Sequence, residues 1–435
     1  MSRPRPDRPD RRSDARRPGP RAPSFLNRST KRRDEFDDDT ETQRGGAPQC
    51  QHFGLCGGCT HLDVAIDEQL DDKLRETTDL LKPFLGARTI HCERPRRTPV
   101  HFRTKLLYPV RPDGKGRCTL GIYRPMSHDI VRIKECRTQD QGLTELGVRA
   151  ELILRQMDLE PWNEERKTGF VQAFGARVMP GTGELLIGVV TRKGVFAAGK
   201  ELADRLMRAC EGLPMSGRSA MTPVGVVRSI NEREGNYLLG DKNVPLVGRD
   251  YQTDKVGGLT FRVRFGSFYQ VHRESDALLY RPTMDWCGDV TGKRVVDGYG
   301  GVGTFGMRLL KAGAARVEIV EANPVACGDA LHNAQQNGFA DKVVVEDAPF
   351  ERAKFAPEPD LLLVDPPRSG LQDAGVQRVL DSRCKNLVMV HCSAESLARD
   401  LDGLAKGGWK VASMRLCDMF PHTTHVEMVT KMVRA

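Results

Sequence analysis

The feature that most constrains the fold is the regular alternation of short apolar runs and helical segments from Gly292 to the end of the chain. The apolar runs are bounded by turn residues, as buried parallel strands are. Five or more such units predict an α/β fold with a parallel, doubly wound sheet. No helical segment follows HVEMVTKMV at 425–433, so we expect this run to insert into the sheet as a final strand.

Two reactive side chains follow neighbouring apolar runs of this region. Asp365 comes directly after the run 361–364, and Cys392 follows the run 387–390. Ligands of open α/β sheets bind beyond the carboxyl ends of the strands, so both residues are expected to face one crevice. A carboxylate and a thiol that converge there indicate covalent chemistry on a bound substrate.

A glycine-rich turn predicts a nucleotide-like ligand. In VVDGYGGVGTF, at 295–305, an apolar strand leads through the turn into a helix. The glycines let backbone amides approach a ligand, and Glu321, at the end of the next strand, is placed to accept ribose hydroxyls. The run GYGGVG at 298–303 is followed by Thr and Phe, and there is no phosphate loop ending in Lys-Ser/Thr. S-adenosylmethionine (SAM) and NAD both stay open on the residues alone, with SAM preferred.

Three of the twelve cysteines lie close together in C-x5-C-x2-C spacing. They are Cys50, Cys56 and Cys59, and the pair Gly57-Gly58 allows the tight backbone curl that points several sulfurs at one centre. Cys136 is the best candidate for a fourth ligand and Cys118 the weaker one. Thiolate sites of this type hold an iron–sulfur cluster or zinc, and the spacing does not separate the two.

The charge of the chain is concentrated at its beginning. Residues 1–33 carry twelve Lys or Arg and three Asp, which accounts for the whole net charge of +9. We expect 1–48 to be a disordered tail that either contacts RNA phosphates or only aids solubility. No apolar run is long enough to span a bilayer or to serve as a signal core, which predicts a cytoplasmic protein.

The segment between the tail and Gly292 predicts a mixed architecture. Residues 67–85 have the pattern of an amphipathic helix, and strand and turn signals alternate from 99 to 266 with helical stretches near 141–157 and 200–210. We expect a cysteine-cluster region at 49–136 within a central α+β, RNA-binding domain at 62–265, and a catalytic domain at 266–435. The run 268–271 is expected to open a helix that extends to about Trp286.

Several blocks together resemble the SAM-dependent RNA uracil-5-methyltransferases. The blocks cover essentially all of 265–435 and are SFYQV (267–271), VDGYGGVGTF (296–305), VEAN (320–323), VDPPRSGL (364–371), HCSAESLARDL (391–401) and DMFPHTTHVEMV (418–429). CQHFGLCGGC together with Cys136 resembles the iron–sulfur site of the ribosomal-RNA branch, which the transfer-RNA branch lacks. The resemblance implies a class I, Rossmann-like SAM methyltransferase sheet.

The resemblance also implies roles for individual residues. Cys392 is the nucleophile that adds to C6 of uracil, and Glu427 is the base that removes the C5 proton. The implied SAM contacts are Gln270, Tyr299, Thr304, Glu321 and Asp365, with Asp347 a weaker match. The implied ligands of a 4Fe-4S cluster are Cys50, Cys56, Cys59 and Cys136.

The chain departs from the family pattern next to the nucleophile, where His391 stands in place of a common Ser. The resulting hypothesis is methylation of a uridine C5 in 23S rRNA, either naked or in an assembly intermediate, with no obligate protein partner and no membrane. Transfer RNA as the substrate is the first alternative. A non-catalytic RNA-binding protein and, more distantly, a NAD-linked oxidoreductase are the others.

Overall fold

The computed structural model describes residues 49–95, 98–216, 220–233, 235 and 237–434. The predicted tail at 1–48 lies outside the described residues. Among the described residues, no helix has both the length and the apolar character needed to cross a membrane.

The described residues contain eight α-helices and eighteen strands. The helices are α1 (Ile66–Leu85), α2 (Gln141–Gln156), α3 (Gly199–Arg208), α4 (Arg281–Cys287), α5 (Thr304–Lys311), α6 (Pro324–Gln336), α7 (Gln372–Asp381) and α8 (Ala394–Lys406). The strands are β1 (Ile90–Cys92), β2 (Lys105–Pro112), β3 (Cys118–Leu120), β4 (Ile122–Tyr123), β5 (Ile130–Val131), β6 (Val171–Val178), β7 (Glu184–Thr191), β8 (Thr222–Ile230), β9 (Lys242–Gly248), β10 (Tyr251–Val256), β11 (Leu259–Arg264), β12 (Arg294–Gly298), β13 (Arg316–Glu321), β14 (Val343–Asp347), β15 (Leu361–Val364), β16 (Asn386–His391), β17 (Trp409–Cys417) and β18 (Glu427–Arg434).

The C-terminal half forms the predicted Rossmann-like sheet. Its strand order is β1-β17-β18-β16-β15-β12-β13-β14. Neighbouring strands are parallel except at β18, which runs antiparallel to both β16 and β17. The insertion of the last run into the sheet is therefore confirmed. The order reverses at β12, which lies between β13 and β15, and such a reversal creates a ligand-binding crevice at the carboxyl ends of the strands.

Local sequence explains the regularity of this half. All four residues of β15 are buried, as in a strand covered by helices on both faces. Helix α6 begins with Pro324, and the side chain of Asn323 caps it by accepting a hydrogen bond from the amide of Val325 at 3.0 Å. Both are typical signals of a helix start.

Helix α1 and strand β1 belong to the same sheet although they come early in the chain. Strand β1 pairs in parallel with β17, with Ile90 opposite Met414. Leu70, Leu81 and Leu85 of α1 are buried in the core that also contains Met414. Part of the range that the sequence assigned to the central region thus completes the catalytic sheet.

The central region is built on a second, six-stranded sheet. Its order is β3-β2-β6-β7-β8-β9, and helices α2 and α3 share its apolar core. The predicted helical stretches near 141–157 and 200–210 correspond to α2 and α3. The hairpins β4–β5 and β10–β11 are separate two-stranded sheets.

One expectation about secondary structure was wrong. The run 268–271 does not open a helix: a π-helical turn begins only at Asp276 and continues into α4. The backbone is held elsewhere, because Thr104 donates both its amide (2.8 Å) and its hydroxyl (3.0 Å) to the carbonyl of Val271. A contact with the residue that precedes β2 therefore overrides the local helical preference.

Candidate active site

Three residues with predicted roles come together at one edge of the C-terminal sheet. Asp365 directly follows β15, and Cys392 directly follows the adjacent parallel strand β16. Because β18 runs antiparallel to β16, its first residue, Glu427, lies at the edge where β16 ends. The insertion of β18 thus brings a carboxyl group beside the thiol.

The electrostatics of these groups reflect burial and mutual proximity. Burial raises the pKa of the Cys392 thiol to about 11, and the charges of Glu427 and Asp365 add to this effect. Burial and then the charge of Asp297 raise the pKa of Asp365 to about 7. The pKa of Glu427, which is 3 % exposed, is raised by burial and then by the charge of Asp365.

Such an arrangement suits a reaction in which a nucleophile acts first and a base acts afterwards. A thiol with this pKa is protonated at neutral pH, and only its thiolate is a strong nucleophile. A buried carboxyl group with a raised pKa is a better proton acceptor than an exposed one. The two carboxyl groups act on each other and on the thiol, so their titrations are coupled.

A buried hydrogen-bonded cluster holds the residue before Cys392 and the loop that follows Asp365. Nε2 of His391 lies 2.9 Å from Oδ2 of Asp400 on α8. The same carboxylate oxygen accepts the amide of Leu371 at 2.6 Å, and the Arg399 side chain donates to the carbonyl of Ser369. The loop that begins at Asp365 is therefore fastened to α8 and to the strand end that carries Cys392. Sequence reasoning missed this cluster, although the unusual His391 was its one visible signal.

The predicted glycine loop lies at the carboxyl end of β12. Tyr299 (φ 59°), Gly301 (φ 57°) and Gly303 (φ 84°) adopt left-handed backbone conformations, and Thr304 is the first residue of α5. A Cβ built on Gly301 would meet no atom within 4 Å, so the loop leaves open space there. The amide nitrogen of Gly306, in the first turn of α5, donates to Oδ2 of Asp297 at 2.7 Å.

Of the other residues implied to bind SAM, two end the next two strands of the sheet and one lies in a different segment. Glu321 ends β13 and already accepts two amides, from Gly301 at 2.9 Å and from Asn323 at 2.7 Å. Asp347 ends β14 opposite Glu321 and is exposed. Gln270 is buried in the segment that precedes the π-helical turn. Glu321 thus also shapes the glycine loop, a role beyond the expected ribose contact.

The four predicted cysteine ligands line one cavity. Cys50, Cys56, Cys59 and Cys136 surround it together with His52. Cys118, the weaker candidate, lies elsewhere, in β3, where its thiol points at the carbonyl of Leu159 at 3.0 Å.

The surroundings of these thiols affect their ionisation. Burial, reinforced by the charges of the neighbouring cysteines, raises the pKa of Cys59 to about 12, and burial also raises those of Cys50 and Cys56. The amide of Gln139 donates to Sγ of Cys136 at 3.3 Å. Within the part of the chain that the structure describes, no three His, Cys, Asp or Glu side chains form a group that could hold a single metal ion.

Comparisons with known proteins agree with this geometry. The family model described as tRNA (Uracil-5-)-methyltransferase matches residues 354–434. An uncharacterized RNA methyltransferase of Halalkalibacterium halodurans is 30% identical over 390 residues, which cover 87% of this chain and 82% of that protein. A second one, from Caldanaerobacter subterraneus, is 30% identical over 386 residues, with 87% and 83% covered.

A solved structure shares the fold over most of the chain. The tRNA (uracil-54, C5)-methyltransferase of Pyrococcus abyssi, in complex with S-adenosyl-L-homocysteine, superposes with a TM-score of 0.69 at 24% identity, covering 87% of this chain and 85% of that one. The chain therefore belongs to a family of RNA methyltransferases, and its residues 354–434 match the uracil-5-methyltransferase model.

Proposed function

We propose that the protein methylates C5 of a uridine in 23S rRNA through a covalent bond between Cys392 and C6 of the base. One observation carries this proposal: the thiol of Cys392 and the carboxyl groups of Asp365 and Glu427 meet at the carboxyl edge of one sheet. A thiol that attacks needs a second group to remove a proton afterwards, and both kinds of group are present.

The proposed reaction uses the two residues in turn. C5 of uracil is a weak nucleophile, and addition of the Cys392 thiolate to C6 gives the ring enolate character with charge density at C5. After C5 has gained a methyl group, the Glu427 carboxylate takes the C5 proton, the bond between Sγ and C6 breaks, and the thiolate is regenerated. Asp365 keeps the pKa of Glu427 raised, which strengthens Glu427 as a base.

The glycine loop and its neighbours fit SAM. The buried Oδ1 of Asp297 has no hydrogen-bond partner, and the open space at Gly301 lies on the same loop. We propose that Gln270, Tyr299, Thr304, Glu321, Asp347 and Asp365 hold the ligand. When bound, SAM supplies the methyl group that C5 takes up.

We further propose that Cys50, Cys56, Cys59 and Cys136 hold a 4Fe-4S iron–sulfur cluster with a structural or RNA-docking role. Four thiols around one cavity and an amide hydrogen bond to a sulfur are the donor set that such clusters use.

Metal analysis of the anaerobically purified protein tests this part. We expect a brown protein with about four irons per chain and broad absorption at about 400 nm. Cys136→Ser should lose the colour, whereas Cys118→Ser should keep it. A colourless wild-type protein with one zinc would show that the cluster proposal is wrong.

Ribosomal RNA is the first choice of substrate because the cysteine site resembles that of the ribosomal-RNA branch. Transfer RNA is the second candidate, since the matching family model and the solved structure with the same fold are both named for transfer-RNA enzymes. Three further points stay predictions. They are a cytoplasmic location, the division into tail, central and catalytic regions, and the use of naked RNA or an assembly intermediate.

Nucleoside mass spectrometry after incubation with SAM and either a 23S transcript or a transfer-RNA pool tests the function. We expect 5-methyluridine in the 23S transcript with the wild-type protein and none with Cys392→Ala. Methylation of transfer RNA alone would leave the chemistry intact and replace the substrate. Full activity of Cys392→Ala would refute the covalent mechanism.

A further inference from the structure

Helix α1 carries buried polar side chains that the proposed reaction does not use. Gln69 is 2% exposed and Lys73 is 5% exposed, and they lie one turn apart on the face that packs against the C-terminal sheet. Burying an amide or an ammonium group is costly unless each finds partners. Their partners therefore indicate what this face of the helix does.

Lys73 holds the beginning of the segment that leads to Glu427. Its ammonium donates to Oδ1 of Asp418 at 2.7 Å and to the carbonyl of Phe420 at 3.0 Å. Both side chains of the ion pair are almost fully buried, at 5% and 7% exposed. The pair thus anchors the chain directly after β17.

Gln69 holds the middle of the same segment through His422. Its Oε1 accepts the amide of His422 at 2.8 Å, and its Nε2 lies 3.1 Å from Nδ1 of that ring. The other ring nitrogen, Nε2, lies 2.7 Å from the carbonyl of Pro99, which can only accept a hydrogen bond. Nε2 of His422 therefore carries the ring proton, and Nδ1 of His422 accepts a hydrogen bond from the side-chain amide of Gln69. The Nε2 of Gln69 also reaches the carbonyls of His61 and Val64, both at 2.8 Å.

The segment itself has no regular secondary structure to hold it. Residues 418–426 connect β17 to β18, and Glu427 is the first residue of β18. The position of the first residue of a strand depends on the chain before it as well as on the hydrogen bonds to the neighbouring strands. A misplacement of about 1 Å at a catalytic group can cost 10²-fold in rate.

We propose that Gln69 and Lys73 are positioning residues for the catalytic base, which set the place of Glu427 through the segment 418–426. This inference rests on the proposed role of Glu427. It assigns to α1, which precedes the catalytic region by about two hundred residues, a part in the step that releases the product.

The proposed order of steps supplies a readout that loss of stability alone would not give. Glu427 acts after the methyl group has reached C5, so a misplaced base slows the breakdown of an adduct that has already formed. We expect Lys73→Met and Gln69→Leu to lower kcat by about 10- to 100-fold while the KM for SAM is unchanged. The methylated RNA–protein adduct should accumulate on denaturing gels, as is also expected of Glu427→Gln.

Lys82→Met is the matched control, because Lys82 is an exposed residue of the same helix. It should behave as the wild type in every assay. The double variant Lys73→Met/Asp418→Leu removes both buried charges, so it is expected to fold even if Lys73→Met alone does not. Lower activity without adduct accumulation in the folded variants would overturn the proposal.

Hydrogen exchange followed by mass spectrometry tests the positioning without any activity. Amides in 418–427 should exchange faster in Gln69→Leu and Lys73→Met than in Lys82→Met, while exchange in α8 is unchanged. Equal protection of 418–427 in all variants would refute the inference even if the enzyme methylates RNA. Absence of any adduct with Glu427→Gln, together with the expected exchange pattern, would instead refute the proposed function and leave the positioning intact.

Discussion

Replacing Asp400 with Ala should destabilise the C-terminal sheet strongly, although no binding or catalytic role is implied for Asp400 itself. Its Oδ2 accepts hydrogen bonds from the Leu371 amide at 2.6 Å and from Nε2 of His391 at 2.9 Å. Asp400 and His391 are each 1% exposed, so water cannot replace the lost acceptor without a change of structure.

The expected magnitude follows from the two donors left without a partner. Each unsatisfied buried donor costs about 1–3 kcal/mol, so Asp400→Ala should lower the free energy of unfolding by about 2–6 kcal/mol. Asp400→Asn keeps one carbonyl oxygen as an acceptor and should lose about half as much. Domains of ordinary stability have about 5–15 kcal/mol in total, so the Ala variant should be close to unfolding.

Urea denaturation of the two variants, with Asp402→Ala as the control, measures this effect. Asp402 lies on the same helix and pairs with Lys406 at 2.7 Å, but both side chains are well exposed. An exposed pair contributes about 0.3–0.5 kcal/mol, so the control should change little. If the free energy of unfolding of Asp400→Ala lies within about 1 kcal/mol of that of the control, the cluster does not fasten the loop after Asp365 to α8 and to the end of β16.

Three further results are expected. Glu427→Gln should lower turnover by about 10²–10⁴-fold and trap a methylated Cys392–RNA adduct, visible as a gel shift that Cys392→Ala abolishes. The rate of adduct formation should rise with pH from about 6.5 to 9, because the pKa of Cys392 is raised to about 11 and the thiolate fraction grows throughout this range; a flat profile would contradict the thiolate mechanism. Burial raises the pKa of Asp297 to about 7, so the folded state holds a proton that the unfolded state, with its pKa of about 4, has lost. The wild type should therefore lose stability relative to Asp297→Asn as pH rises from about 4 to 7, and thermal unfolding at several pH values measures the difference.

The elements of the catalytic sheet could be predicted because local pattern determines them. Helix α6 has a capping residue and a proline at its start, which are local signals of a helix. Strands β14 and β17 likewise belong to the alternation of apolar runs and helices that the sequence predicts from Gly292 onward. Buried parallel strands and their helices have a strong sequence signal, since each must cover an apolar face.

What the sequence could not indicate depends on contacts between distant residues. Strand β1 has three residues, too few for a periodic pattern, and its partner β17 lies more than three hundred residues later. The helix expected from Phe268 fails because Thr104, on another element, binds the carbonyl of Val271. The pairing of His391 with Asp400 gives no sequence pattern either, because a strand end and a helix have no common period.

The same long-range contacts explain how an early segment can serve a late active site. The carbonyl of His422 accepts the amides of Thr60 and His61, both at 3.0 Å, directly after the cysteine Cys59. Gln69 binds His422 from the other side, so the cysteine segment, α1 and the chain leading to Glu427 share one hydrogen-bonded junction. Glu427, the proposed base, is the first residue of the last strand, so its position depends on the chain that leads to it. Backbone hydrogen bonds thereby join the cysteine segment to the chain that leads to Glu427, which supports the structural role proposed for the cysteine site.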